Sequence, residues 1–386
     1  MLAPARVHPT SEKRFEVRDV SRRPFVTEYN NKNIVCEIKW TWAVHSVCFS
    51  PSGEYLAVGG DEKKIFILRT TTWKIVCEIM WDDVVSYVSF SPSGDYLAVC
   101  GKDKKAAILS TTTCDIVYEM DRIGRVSSLC CSPSGEYLAV GGDEKKIFIF
   151  RTTTWNVVCD MMWDDVVSNI SFSPNGPYLA VIAGVDTISI INCSTWRIIH
   201  EVKWDGTVRC ATFSPGGDSL AVGGDKREIA FISTSTWNIV HDVKVDMWVC
   251  SLCFCSCSEQ LAVGGKTKKV FIISTSTWEV LREVEREGDV WSVCYTSRGD
   301  RLAVGTMDNM VTIVNTSTWG IACKVKRTGC VTQVTFSPNG EYLAVGGYDK
   351  KVAISSTLLI GKSFVKWTGK VGCILCVSAH VASTWL

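Results

Sequence analysis

Four cysteines form the densest run of residues that could bind a metal ion, with the spacing Cys250-x-x-Cys253-x-Cys255-x-Cys257. Thiolates at short spacing are typical zinc ligands. Side chains alternate between the two faces of a β-strand, so three of these cysteines share one face and Cys250 points away from them. No second pair of cysteines or histidines follows at zinc-finger spacing, and the pair at 373 and 376 is equally isolated. The sequence therefore predicts no metal site, and we interpret these cysteines as small apolar residues of the interior.

Histidines and one glycine-rich segment are the other candidates for chemistry. The five histidines lie apart, and none stands beside a nucleophile or a cluster of metal ligands: His8, His45, His200, His241 and His380. The segment Gly264-Gly265-Lys266-Thr267 resembles the end of a phosphate-binding loop, but Gln260 stands where that loop has its first glycine. The sequence therefore predicts no catalytic residue and no cofactor.

Tryptophan stands beside charged residues in several short segments, a composition typical of protein-binding hot spots. The segments are Trp40-Thr41-Trp42, Trp81-Asp82-Asp83, Trp163-Asp164-Asp165, Trp204-Asp205 and Asp246-Met247-Trp248. Basic pairs recur in a second set of segments: Lys63-Lys64, Lys104-Lys105, Lys145-Lys146, Lys226-Arg227, Lys268-Lys269 and Lys350-Lys351.

We predict that these segments bind a protein partner. The predicted contacts are Trp40, Trp42, Trp81, Trp163, Trp204 and Trp248 as anchors, Asp82 and Asp164 beside them, and Lys63, Lys64, Lys104, Lys105, Lys145 and Lys146 for electrostatic steering. The residues alone leave open a second interpretation, in which the tryptophans cover edges of the fold and the charges only solvate turns.

An internal repeat specifies the elements that must position these residues. Ser50-Pro51-Ser52-Gly53 recurs at equal steps of 41 residues as far as Ser337-Pro338-Asn339-Gly340, and is blurred only at 255–258 and 296–299. Each unit contains four short apolar runs separated by turns; in the second unit the runs are residues 84–90, 96–99, 106–109 and 115–119. Alternation at period 2 predicts strands. Four strands in about 40 residues, without a helical period, are typical of a propeller blade.

Three features of the repeat are shared with a known family. They are the 41-residue period, the run V-x-F-S-P-x-G-x-Y-L-A-V-G-G, and an acidic residue three positions before the third strand, as at Glu62, Asp103, Glu144, Asp308 and Asp349. On these features, residues 33–366 resemble the WD-repeat β-propeller family. The Trp-Asp pair that names the family is replaced, for example by Leu68-Arg69, and no Gly-His pair precedes the first strands. The family's Asp–His–Ser–Trp network therefore cannot form as usual, and we expect more of the stability to come from apolar stacking between blades.

The resemblance implies an all-β propeller of four-stranded antiparallel blades, and eight clear units predict eight blades. Residues 33–38 (NIVCEI) match the fourth strand of the first unit, residues 74–79 (KIVCEI). Propellers of this family close by pairing an N-terminal outer strand with the last blade, and this segment is placed to do so. Fainter repeats near both ends leave nine blades open, with a split blade built from both termini. We divide the chain into an N-terminal arm (1–32, or part of the closing blade), the propeller (33–366) and a degenerate C-terminal tail (367–386).

A threonine-rich turn ends in tryptophan in six of the eight units. The residues are Trp73, Trp155, Trp196, Trp237, Trp278 and Trp319, with Cys114 and Ile360 in the other two units. One residue type at one position favours architecture over ligand binding. We expect the threonine hydroxyls to bond turn backbone and each tryptophan to pack at the seam between blades.

Composition and charge limit the possible functions. The chain has 41 Lys and Arg against 40 Asp and Glu, whereas a dedicated nucleic-acid binder normally carries a clear basic excess. The sequence contains no apolar run of about 20 residues, so it predicts no membrane span. The first ten residues lack the apolar core of a signal peptide, so we expect an intracellular protein, cytoplasmic or nuclear, with reduced cysteines.

These observations predict a non-catalytic scaffold or adaptor that binds a protein of unknown identity and belongs to a larger complex. By resemblance, the Trp-rich and Lys-rich loops lie together on one face of the propeller. The alternative is a receptor for inositol phosphates or other polyanions, bound by the lysine-rich loops. Nothing in the sequence argues for an enzyme.

Overall fold

The computed structural model describes residues 34–39, 43–102, 105–120, 124–256 and 259–357. In this part of the chain, 32 β-strands form eight antiparallel sheets of four strands each. The predicted arm at 1–32 and the predicted tail at 367–386 lie outside the described residues.

The strands, in chain order, are β1 (Ile34–Lys39); in blade 1, β2 (Val44–Phe49), β3 (Tyr55–Gly60), β4 (Lys64–Arg69) and β5 (Lys74–Met80); in blade 2, β6 (Val85–Phe90), β7 (Tyr96–Gly101), β8 (Ala106–Ser110) and β9 (Ile116–Met120); in blade 3, β10 (Val126–Cys131), β11 (Tyr137–Gly142), β12 (Lys146–Arg151) and β13 (Val157–Met162); in blade 4, β14 (Val167–Phe172), β15 (Tyr178–Ala183), β16 (Thr187–Asn192) and β17 (Arg197–Lys203); in blade 5, β18 (Val208–Phe213), β19 (Ser219–Gly224), β20 (Glu228–Ser233) and β21 (Ile239–Lys244); in blade 6, β22 (Val249–Phe254), β23 (Gln260–Gly265), β24 (Lys269–Ser274) and β25 (Val280–Glu285); in blade 7, β26 (Val290–Tyr295), β27 (Arg301–Thr306), β28 (Met310–Asn315) and β29 (Ile321–Lys326); and in blade 8, β30 (Val331–Phe336), β31 (Tyr342–Gly347) and β32 (Lys351–Ser356).

Each blade uses its strands in chain order, from the innermost to the outermost. Blade 1 has the order β2-β3-β4-β5, and blades 2 to 7 repeat this order. Blade 8 is completed by the start of the chain, because β1 pairs antiparallel with β32. The innermost strands of neighbouring blades pack together, and the contact of β30 with β2 closes the ring. The predictions of eight blades and of a closing N-terminal strand are confirmed, and this direct contact leaves no space for a split ninth blade.

The hydrophobic core is divided among the seams between blades. Each of the eight seams has its own apolar cluster. The second strand of a blade is buried on both faces, as in Tyr55–Gly60, which explains why its Leu-Ala-Val run is continuously apolar. The next blade approaches this strand closely at Gly59, where a Cβ would lie 2.4 Å from Cγ1 of Val85; blades 2 and 4 have Cys100 and Ile182 at this position.

Two turns of each blade meet on one face of the ring, which we call the lower face. In blade 1, the Tyr55 N–H donates to Ser50 Oγ at 2.9 Å, and Thr70 Oγ1 donates to the Gly53 carbonyl at 2.7 Å. The same two bonds recur in blades 2, 3, 5, 7 and 8. In blade 6, where the repeat is blurred, buried Cys255 takes the position of this serine. Side-chain hydroxyls therefore explain why Ser and Thr recur at these turns.

The tryptophans of the threonine-rich turns pack at the seams, as expected. Their backbones are left-handed, with φ from 50° at Trp196 to 60° at Trp278. In four seams the indole meets a tyrosine of the preceding blade edge-on; the ring centroids of Trp196 and Tyr137, for example, are 4.9 Å apart. A left-handed conformation costs a residue with a Cβ about 1–2 kcal/mol, and the aromatic contact across the seam offsets this cost.

Hydrogen bonds between innermost strands supply a link that sequence reasoning missed. Side chains at the third position of these strands accept from the backbone N–H of the next blade. The pairs are Val88 with Ser46, Ile170 with Ser128, Val293 with Ser251 and Val334 with Ser292, and Val47 bonds Gln333 Oε1 across the closing seam at 2.9 Å. These bonds join neighbouring blades in addition to the apolar stacking that the sequence predicts.

Candidate protein-binding face

The predicted site residues belong to two sets of turns that meet on the opposite face, which we call the upper face. One set joins the second and third strands of a blade, and the other joins a fourth strand to the next blade. Backbone bonds connect the two sets: Trp81 N–H donates to the Lys63 carbonyl at 2.8 Å, and Trp163 N–H donates to that of Lys145 at 2.7 Å. Of the predicted contacts, Trp40, Trp42 and Lys104 lie outside the described residues.

The predicted tryptophans differ in how much of their surface reaches solvent. Trp81 and Trp204 are 7% and 3% exposed and belong to seam cores, Trp163 is half-buried, and Trp248 is 37% exposed. The first three follow directly after a fourth strand, where the side chain turns into the seam. Trp248 stands three positions later in the repeat, directly before β22, and remains accessible. Segments of similar composition therefore present their tryptophans in opposite directions.

The indole N–H groups of these seam tryptophans are unequally paired. Trp163 Nε1 donates to Ser189 Oγ at 3.1 Å. Among the described residues, Nε1 of Trp81 and Nε1 of Trp204 are buried without a hydrogen-bond partner. The repeat explains the difference, because the position of Ser189 is occupied by Ala107 opposite Trp81 and by Ala230 opposite Trp204.

Replacing Ala230 with Ser is expected to raise the free energy of unfolding by about 1 kcal/mol, because the hydroxyl would accept the buried Trp204 N–H. Urea denaturation followed by tryptophan fluorescence measures the change. The reciprocal variant Ser189→Ala removes the acceptor of Trp163 and should lower the free energy of unfolding by about 1–2 kcal/mol. A loss of stability in Ala230→Ser would contradict the assignment.

The lysine pairs are held by acidic groups and carbonyls of their own blade. The second lysine of a pair forms an ion pair with an acidic residue of the outermost strand. The distance from Nζ to the carboxylate oxygen is 2.7 Å for Lys64 and Glu78 and 3.1 Å for Lys105 and Glu119. For Lys146 and Asp160 it is 3.9 Å. Hydrogen bonds to Asp82 and Glu119 raise the pKa of Lys105. The first lysine of a pair donates to the adjoining turn, as Lys145 does to the Asp164 carbonyl at 2.7 Å. These lysines therefore do not form a ring of free charges around the axis.

Four exposed apolar side chains, three of them aromatic, lie on the upper face of blades 6 to 8. Trp248, Trp291, Met307 and Tyr348 are 37%, 36%, 41% and 51% exposed. Sequence reasoning missed the last three because they do not recur from unit to unit. A usable signal was departure from the repeat, since Met307 and Tyr348 stand where other units have Asp61, Asp143 and Asp225.

Comparison with known families identifies the fold. The profile of the "Anaphase-promoting complex subunit 4 WD40 domain" matches residues 47–129 and 129–210. That of the "WD domain, G-beta repeat" matches residues 278–315 and 323–354, and together these regions cover more than half of the chain. The chain belongs to the WD-repeat family. The family resemblance seen in the sequence is thus confirmed, although other residues replace the Trp-Asp pair at the position that names the family, as at Leu68-Arg69.

Solved structures of another protein, Sqt1, have the same fold. Sqt1 of Chaetomium thermophilum is 18% identical, with a TM-score of 0.76 over 85% of this chain and 98% of that chain. Sqt1 of Saccharomyces cerevisiae is 15% identical, with a TM-score of 0.77 over 85% of this chain and 99% of that chain. A further structure shows C. thermophilum Sqt1 bound to the N-terminus of the ribosomal protein L10, at 17% identity and a TM-score of 0.76 over 85% and 100% of the two chains. No curated protein sequence matches the chain.

The described part of this WD-repeat propeller contains neither a metal-binding group nor a membrane-spanning helix. Within the described residues, no group of three or more His, Cys, Asp and Glu side chains is placed to hold a metal ion. The same part of the chain has no helix with the length and apolar character needed to cross a bilayer.

Proposed function

We propose that this WD-repeat propeller is a non-catalytic scaffold that binds a protein partner through its upper face. The observation that carries the proposal is the group of exposed apolar side chains on blades 6 to 8: Trp248, Trp291, Met307 and Tyr348. Aromatic residues and methionine are enriched at protein interfaces, and tryptophan and tyrosine dominate binding hot spots. Sqt1, a propeller of similar fold, has been solved with the N-terminus of another protein bound, which supports a segment of a protein as the ligand class.

The charge arrangement favours a protein partner over a small polyanion. Lys64, Lys105 and Lys146 already have acidic partners in their own blades. Binding a phosphate at these lysines would require breaking those pairs.

We further propose that the scaffold works inside the cell, in the cytoplasm or nucleus, as part of a larger assembly. Fifteen cysteines of the described part are free thiols, as is usual in a reducing compartment.

The triple variant Trp291→Ala/Met307→Ala/Tyr348→Ala is expected to lose a partner that the wild-type protein captures stoichiometrically from native cell extract. Truncating an interface hot-spot residue typically costs about 2 kcal/mol, or about thirtyfold in affinity. Affinity capture with quantification of the bound protein measures the loss, after circular dichroism has verified that each variant is folded.

A matched control removes exposed apolar side chains from the outermost strands of blades 4 to 6. The variant Ile199→Ala/Val240→Ala/Leu281→Ala alters residues that are 45%, 46% and 49% exposed, and it should retain the partner. Loss of the partner in this control, with retention in the upper-face variant, would place the binding surface on the side of the ring and refute the proposal.

A further inference from the structure

One part of the upper face combines an exposed aromatic ring with two cations. Lys266 Nζ lies 4.4 Å from the ring centroid of Trp248, and Arg209 Cζ lies 5.3 Å from it. All three side chains are exposed. We call Trp248, Arg209 and Lys266 the cationic patch.

The fold brings these residues together from two neighbouring blades. Arg209 is the second residue of β18, where the strand bulges out of register with β19. Trp248 directly precedes β22, and its carbonyl accepts the Lys266 N–H at 2.9 Å. The turn position of Lys266 holds aspartate in three other units, at Asp61, Asp143 and Asp225. The patch is therefore a local departure from the repeat, basic where several other blades are acidic.

The cations of the patch form no ion pair with a carboxylate in the described part of the chain. Among the described residues, no Asp or Glu oxygen lies within the 4.0 Å of an ion pair from Arg209 or Lys266. Hydrogen bonding to Thr207 and, to a lesser degree, the charge of Arg209 lower the pKa of Asp225. Asp225 Oδ1 accepts the Thr207 N–H at 2.6 Å, and Asp246 pairs with Arg227 at 3.2 Å.

The pKa of the nearby Cys250 thiol responds to the charges of the patch. Burial raises the pKa of this thiol, and Arg209 and Lys266 lower it. Asp289 acts in the opposite direction and is the weakest of the influences. Both cations thus act on this thiol from the side of the patch.

We propose that the cationic patch binds an acidic segment of the protein partner. Carboxylates of that segment would pair with Arg209 and Lys266, because charge-assisted bonds to a guanidinium and an ammonium are the strongest contacts an acidic peptide can make. An apolar side chain of the same segment packs on Trp248, and on Trp291 and Met307 in the next blade. This inference rests on the proposed function, since it specifies the partner's chemistry at the same face.

The test uses a fluorescein-labelled peptide of alternating Glu, Asp and Phe, and the same peptide with Lys in place of each acidic residue. Fluorescence anisotropy with the full-length protein should show binding of the acidic peptide only, weakening as salt is raised. In Arg209→Glu/Lys266→Glu, affinity for the acidic peptide should fall at least about tenfold. The control Lys203→Glu/Lys244→Glu makes the same charge change at exposed lysines of neighbouring blades, and should change affinity less than about twofold.

Several outcomes would overturn the inference. They are absence of binding by the acidic peptide, equal binding of the lysine peptide, or an equal loss in the control variant. Tighter binding of inositol hexakisphosphate than of the peptide, lost in the same variant, would assign the patch to a small polyanion instead.

Partner capture separates this inference from the proposed function. If Arg209→Glu/Lys266→Glu still captures the partner, the inference is wrong and the scaffold stands; if the wild-type protein captures no partner, the scaffold proposal fails.

Discussion

Replacing Asp349 with Asn is expected to lower the free energy of unfolding by about 3–5 kcal/mol. The side chains of Arg327 and Asp349 are only 4% and 1% exposed, and they form two bonds, Nε to Oδ2 at 2.6 Å and Nη2 to Oδ1 at 2.7 Å. Asn keeps the shape of the acid but removes its charge. A guanidinium then stays buried without a counter-charge, which is why the expected loss is large. Urea denaturation of the folded variant measures it.

The repeat supplies a control for this buried pair. Arg327 stands at the position of Trp163, and Asp349 at that of Val185. The double variant Arg327→Trp/Asp349→Val therefore removes both charges and installs the residues of another unit, of which Trp163 packs in a seam and Val185 is 58% exposed. Replacing a buried ion pair by apolar residues of suitable size is often neutral or stabilising, so the double variant should unfold near the wild-type midpoint. A double variant as unstable as Asp349→Asn would show that the charge pair itself is not the cause.

Two single variants that exchange cysteine and tryptophan between equivalent seams should change the free energy of unfolding in opposite directions. Trp196→Cys is expected to lower the free energy of unfolding by about 3 kcal/mol, because it empties a packed seam. Cys114→Trp is expected to raise it by about 1–2 kcal/mol through a new aromatic contact. Denaturant unfolding of both variants, measured in reducing buffer, gives the two changes.

The prediction depends on how closely the two seams match. Cys114 faces Tyr55 and Cys77, whereas Trp196 faces their repeat equivalents Tyr137 and Cys159. Cys114 also already has the left-handed backbone of the seam tryptophans, with φ 63°. If Cys114→Trp unfolded at a lower denaturant concentration than the wild type, the neighbouring thiols of Cys77 and Cys114 would be the better filling of this seam.

Most of the fold could be predicted because its determinants are local and repeated. The Ser50 and Gly53 turn and the apolar run after it act within a few residues, and the same run recurs in every blade. The closing strand could also be predicted, because residues 33–38 resemble the outermost strand of the first unit but precede that unit and belong to no complete unit.

The candidate site was harder to predict because burial depends on register across a seam. Nothing in the composition around Trp81 and Trp248 separates a side chain that enters the seam from one that faces solvent. Lys64 and Glu78 are 14 residues apart, and their pairing follows only once the third and fourth strands are aligned. Three of the exposed side chains break the repeat, so reasoning from recurrence missed them: Trp291, Met307 and Tyr348.

The pairing of β1 with β32 has a consequence for synthesis. Ile34 pairs with Ser355, so β1 is synthesised before every other described strand of the propeller and its partner β32 after all of them. Until the eighth blade emerges from the ribosome, the nascent chain is an open arc whose two ends each expose half of an apolar seam. Such ends can pair with the ends of another unfinished chain. The interval between making the first strand and the last is therefore the period in which this protein is most exposed to misassembly.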